Sequence, residues 1–131
     1  MCGVKANGKP YRVLIVDDSA FIAKQLSQIL ISDGFEIARI APNGAVGLEV
    51  YKEEFQNIDL VTMDITMPKM DGISALEKVM AINKNAVVMM VSALGKEDMV
   101  KRSISIGAKG FIVKPLDRDK VLIRIASILE D

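Results

Sequence analysis

Histidine is absent from all 131 residues, and cysteine occurs once, as Cys2. Without imidazole, zinc and copper sites of the histidine kind are excluded, and any metal must be held by oxygen ligands. A lone cysteine cannot close an internal disulfide, which predicts a reducing compartment, the cytoplasm. Excess charge is missing too. Lysine plus arginine and aspartate plus glutamate number 17 each, so neither nucleic acid nor a membrane surface is an expected partner. The longest apolar runs fall far short of a bilayer span, and no basic segment precedes an apolar one at the N-terminus. What remains, half apolar and 26% charged, is a globular composition with enough chain for one sizeable core.

The first eleven residues, MCGVKANGKPY, carry Gly, Asn and Pro without periodicity and read as a flexible lead-in. From Arg12 to Asp131 a regular alternation predicts a single domain, with no further domain expected after the last helix. Short apolar runs at 12–16, 36–41, 59–63, 86–91 and 110–113 have the length of strands. VLIV and AVVMMV are nearly unbroken, as parallel strands covered on both faces require. Between them, Ile22, Leu26, Ile29 and Leu30 form a helical stripe that Gly34 stops. Ile73, Leu76, Val79 and Met80 form a second, and Val121 or Leu122, Ile125, Ile128 and Leu129 a third, with Asp117 as its N-cap. Segments 44–55 and 96–106 are weaker helices. Five strands alternating with five helices predict a doubly wound, mostly parallel α/β sheet.

The polar residues that close these strands share one rim. The first run ends in Asp17 and Asp18, the third in Asp64, the fourth in Ser92 and the fifth in Lys114. Ligands of open α/β sheets bind outside the carboxyl ends of the strands, so four of five strands deliver a reactive group to that place. The second run, EIARIAP, delivers none and suits an edge. Taken singly, each residue has a plainer role. Asp17 and Asp18 could cap the next helix, Ser92 could end a turn, Phe111 could fill the core and Lys114 could be solvated. The methionines read as core filling and Cys2 as incidental.

Together they carry a chemistry. Three gathered carboxylates repel, and at least one resists ionisation unless a cation neutralises the set. A hard divalent cation with oxygen ligands and retained waters meets that need, and Mg²⁺ is the expected ion. An ammonium and a hydroxyl at the same spot are the parts that hold a phosphoryl group while its charge redistributes. One carboxylate can then act as nucleophile and form an aspartyl phosphate.

VLIVDDSA, TMDITMPKMDG, MMVSA and GFIVKP, in this order and spacing, resemble the receiver domains of two-component response regulators, and among them the single-domain, CheY-like chemotaxis regulators. The likeness covers residues 12 to about 129. It implies a flavodoxin-like (βα)5 fold with strand order 2-1-3-4-5 and a receiver domain over 12–131. It makes Asp64 the phosphoacceptor, with Asp18 on Mg²⁺ directly, Asp17 largely through water, and the Thr66 carbonyl as a further ligand. Lys114 would pair with the phosphoryl oxygens, and a cis Lys114–Pro115 bond would aim it. Ser92 would swing its hydroxyl toward the phosphoryl group. Phe111 would occupy the aromatic switch position without a hydroxyl. Thr66 and Leu94 stand at places where the family varies, which affects the access of water and phosphatases.

The implied function is a switch and not an enzyme in the ordinary sense. Since the chain has no histidine, a phosphohistidine donor must be another protein, and the resemblance implies a sensor histidine kinase of the chemotaxis type. The face built from the fourth helix, fifth strand and fifth helix would then bind a partner, the flagellar motor switch protein, with a phosphatase as a further partner and a monomer as the expected state. Passage of the phosphoryl to a histidine phosphotransfer protein is the near alternative. A haloacid-dehalogenase-type phosphatase belongs to another class, but it carries Asp-x-Asp after its first strand. An FMN carrier of the same fold needs a phosphate-cradling loop where this chain puts two carboxylates.

Overall fold

The five apolar runs form strands because their unbroken Val, Leu, Ile and Met content can be covered on both faces. The computed structural model describes residues 1–68 and 70–129, so the last two residues assigned to the domain from sequence, 130 and 131, lie outside the described residues. The strands are β1 (Arg12–Val16), β2 (Glu36–Ala41), β3 (Leu60–Asp64), β4 (Val88–Ser92) and β5 (Gly110–Val113). They make one parallel sheet in the order β2-β1-β3-β4-β5, the expected doubly wound arrangement. The edge strand β2 is largely exposed, whereas every residue of β3 and β4 is buried.

Helices α1 (Ala20–Ser32) and α5 (Arg118–Leu129) cover one face, with Leu26, Leu30, Val121 and Ile125 packed on Val13, Ile15 and Met89. Helices α2 (Gly44–Glu54), α3 (Gly72–Ile82) and α4 (Glu97–Ile106) cover the other, with Tyr51, Leu76, Val79 and Val100 on Leu14, Val61 and Met90. Side-chain oxygens start four of these helices by accepting an orphan backbone N–H. Ser19 takes that of Ile22, Asn43 that of Val46, Asp71 that of Ser74, and Asp117, as expected, that of Lys120. Helix α4 has no such cap and buries only Val100 and Ser103, so little apolar content marks it in the sequence. No helix among the described residues is long and apolar enough to cross a membrane.

The first eleven residues, expected to form a flexible lead-in, are folded onto the domain. Val4 bridges Pro10 in antiparallel fashion, and the Gly3 N–H donates to the Asp33 carbonyl at 3.0 Å. The Tyr11 N–H returns to the Gly3 carbonyl at 2.8 Å, and Lys5 pairs with Asp59 at 3.1 Å. Gly3 permits this close approach, because a Cβ there would sit 2.3 Å from the Phe35 nitrogen. Backbone hydrogen bonds hold the segment, and Cys2 and Tyr11 pack on the core beside Phe35, but these contacts follow no regular spacing, so hydrophobic periodicity carries no trace of it.

Candidate metal centre

Strand register sets the site. Val16 is level with Met63, Asp64 with Val91, and Ser92 with Val113. Asp17, Asp64, Ser92 and Lys114 therefore emerge along one rim at the carboxyl ends of four neighbouring strands, as the sequence pattern predicts.

The three acidic residues converge there. Asp17, Asp18 and Asp64 each bring a carboxylate oxygen to within 4.8 Å of the others. Asp17 and Asp64 are buried at 3% and 4% exposure, and Asp18 is exposed. One oxygen of Asp17 accepts the Ser19 N–H at 2.8 Å, which ties the carboxylate to the start of α1. Its other oxygen, Oδ2, is buried with no hydrogen-bond donor among the described residues. Asp64 Oδ1 accepts the Thr66 N–H at 3.4 Å, a long contact.

Among the described residues, Lys114 is the cation that pairs with these groups. Its Nζ lies 3.7 Å from Asp17 Oδ2 and 3.6 Å from Asp64 Oδ2, and the Lys114–Pro115 bond is cis, as expected. One ammonium does not balance three carboxylates. Burial, and then the neighbouring Asp17 charge, push the Asp64 carboxyl up to about 7 against the pull of Lys114. Burial likewise raises Asp17, opposed by the Ser19 N–H and by Lys114. An orphaned buried oxygen, an uncompensated negative charge and an all-oxygen donor set together fit a hard divalent cation.

Ser92, 2% exposed, donates its hydroxyl to the Ala93 carbonyl at 2.8 Å and so faces the loop after β4. Phe111 is half-buried in β5, and Leu94 stands 82% exposed at the rim. Thr66, also exposed, lies in the loop between β3 and α3.

Two contributors escaped the sequence reading. Gly72 lets α3 start against β3, since a Cβ there would fall 2.0 Å from the Asp64 carbonyl oxygen, and its N–H donates to the Ile65 carbonyl at 2.8 Å. Its place after Met70 and Asp71 was visible, but the backbone contact that demands glycine was not. Arg124 of α5 holds its guanidinium 5.3 Å from the centre of the Phe111 ring, a pairing of two elements that no local spacing announces.

Comparison with known proteins agrees with this geometry. Residues 13–126 match the model of the response regulator receiver domain. The chain is 61% identical over 128 residues to a chemotaxis protein CheY of Treponema pallidum (strain Nichols), covering 98% of this chain and 89% of that one. It is 51% identical to a chemotaxis protein CheY of Bacillus subtilis (strain 168), over 86% and 92% of the two. Among solved structures, the CheX-CheY-BeF3-Mg²⁺ complex from Borrelia burgdorferi contains a chain 55% identical, with TM-score 0.93 over 96% of this chain and 95% of that one. The chain thus belongs to the response regulator receiver domain family, a family of signalling domains whose chemotaxis members it resembles along nearly its full length.

Proposed function

We propose that this protein is the phosphorylation-operated switch of a chemotaxis pathway, with Asp64 as phosphoacceptor. The observation that carries the reading is the placement of Lys114 Nζ 3.6 Å from Asp64 and 3.7 Å from Asp17, on a rim where three carboxylates meet. Asp17, Asp18, Asp64 and the Thr66 backbone carbonyl would hold Mg²⁺. The chemistry it supplies when bound is neutralisation of negative charge on the phosphoryl oxygens. The solved Borrelia relative contains both Mg²⁺ and BeF3, which supports such a site here.

An Asp64 carboxylate oxygen attacks the phosphorus of a phosphohistidine on a chemotaxis-type sensor kinase. The new O–P bond forms as the N–P bond breaks, and the electron pair returns to the imidazole. Lys114 pairs with a phosphoryl oxygen. The product adds about −1.5 to −2 of charge and three acceptor oxygens in place of one carboxylate. Ser92 then gives up the Ala93 carbonyl and turns its hydroxyl to the phosphoryl group. Phe111 follows into the space beside it, which remodels the face of α4, β5 and α5.

That face binds the output partner, which in this reading is the flagellar motor switch protein; relatives named as chemotaxis proteins support a role in chemotaxis. Because one solved relative is in complex with CheX, a CheX-type protein is a second partner, with a phosphatase to reset the state. The chain works as a cytoplasmic monomer in this reading. Transfer onward to a histidine phosphotransfer protein is the alternative within the family. A haloacid-dehalogenase-type phosphatase is disfavoured, because the candidate nucleophile follows β3 and receivers are signalling domains.

Calorimetry with a motor-switch peptide tests the output. Binding is expected to tighten at least several-fold with Mg²⁺ and beryllofluoride, and the Asp64→Asn variant is expected to lose that gain. A state must bind its partner differentially to be a signal, so equal affinity with and without the mimic would reject the reading.

A further inference from the structure

Phe111 is the wall between two unlike spaces. On one side lies an apolar groove of about 250 Å³, open to solvent, lined by Ser92, Leu94, Val100 and Val113 with Lys96, Glu97 and Lys101 at its edge. On the other lies a groove of about 530 Å³ that presents Lys114, Lys120 and Arg124. The ring lines both, is half-buried, and carries the Arg124 guanidinium at 5.3 Å from its centroid.

The two positions open to this ring differ in what they offer. A volume of roughly 150 Å³ holds a benzene molecule, so the open groove beside Ser92 has room for a phenyl side chain. Turning inward buries apolar ring surface, which is favourable. Turning inward also takes the ring face away from the guanidinium, which is unfavourable. A tyrosine could add a hydroxyl hydrogen bond to the balance; Phe111 has none to add. The contact with Arg124 is thus a polar interaction that opposes inward rotation.

We propose that Arg124 is the positioning residue that latches the switch in its resting state, holding the Phe111 ring out of the apolar groove beside Ser92 through a cation–π contact. This rests on the reading that Phe111 is the moving ring. Loss of a contact of this class at a half-exposed position shifts a two-state ratio by about two- to fivefold. Arg124 sits on α5, within the proposed output face, so a partner that engages its guanidinium would release the ring as it binds. Partner binding and ring rotation are then coupled reciprocally.

Fluorine NMR of the chain labelled with 4-fluorophenylalanine tests this, with the Phe111 signal among the four phenylalanines assigned by Phe111→Leu. Arg124→Met keeps the stem that packs on the surface and removes the charge, while Arg124→Lys keeps a cation. Without phosphodonor, Arg124→Met is expected to raise the inward-to-outward ratio about two- to fivefold, and Arg124→Lys to restore most of the parent value. Beryllofluoride with Mg²⁺ is expected to bring all three to the same inward signal. An unchanged resting ratio in Arg124→Met, while beryllofluoride still moves the ring, overturns the latch and leaves the switch intact. The same shift in Arg124→Lys as in Arg124→Met overturns it too, since lost packing would then explain both. A ring that beryllofluoride does not move in the parent removes the switch reading itself, and the latch with it.

Discussion

Asp64 is buried, and the proposed function also asks it to be a nucleophile; the two demands oppose each other. Burial and the Asp17 charge push its carboxyl up to about 7, whereas attack on phosphorus needs the ionised form. Without a metal, the folded protein therefore holds a proton on this group more tightly than the unfolded chain does. A folded value above the unfolded one gives stability that is fully present below about pH 4 and is lost as pH rises toward about 7. In a melting series with chelator, Tm should fall across that window and level off above it. Added Mg²⁺ should raise Tm more at about pH 8 than at about pH 5, because only the ionised cluster binds it well. An Asp64→Asn variant should lose this part of the slope. It should also be more stable than the parent by about 1–3 kcal/mol at neutral pH in chelator, as urea unfolding would measure, since it removes a buried like charge. A variant less stable than the parent would mean that Lys114 already compensates the cluster.

At the scale of elements, the strands place the chemistry and the loops hold it. The β3–α3 junction is the tightest: a methyl group at Gly72 would meet the Asp64 carbonyl oxygen at 2.0 Å, backbone that cannot yield without moving the loop. Gly72→Ala is expected to cost about 1–3 kcal/mol in urea unfolding and to weaken Mg²⁺ binding at least several-fold by calorimetry. Full stability with full affinity would contradict that role. The rim of acidic residues was legible because a buried apolar run that ends in carboxylates is chemically odd, at Asp17 and at Asp64 alike. Helices α1, α3 and α5 were legible from their apolar stripes, and α4 less so, because one of its two inward residues is Ser103. The folded N-terminal segment was not legible, since Gly3 and Tyr11 join it through backbone bonds. Nor was the Arg124–Phe111 contact, which depends on how α5 settles over β5.

The whole molecule is one sheet clad by helices on both faces, with the site at its open end and the proposed output face along α4, β5 and α5. In the proposed function, a small local event, one covalent bond at Asp64, would bias a surface some distance away through Ser92 and Phe111. The account needs no catalytic turnover of an external substrate, only a change in which state of the chain is populated. Everything in it depends on Asp64 taking up a phosphoryl group. The direct measurement is the intact mass of the protein after incubation with acetyl phosphate and Mg²⁺, alongside the same mixture with chelator and the Asp64→Asn variant. The account predicts a gain of one phosphoryl group in the parent with Mg²⁺, and none in the other two. A gain in Asp64→Asn, or no gain in a parent shown to bind Mg²⁺, would contradict it.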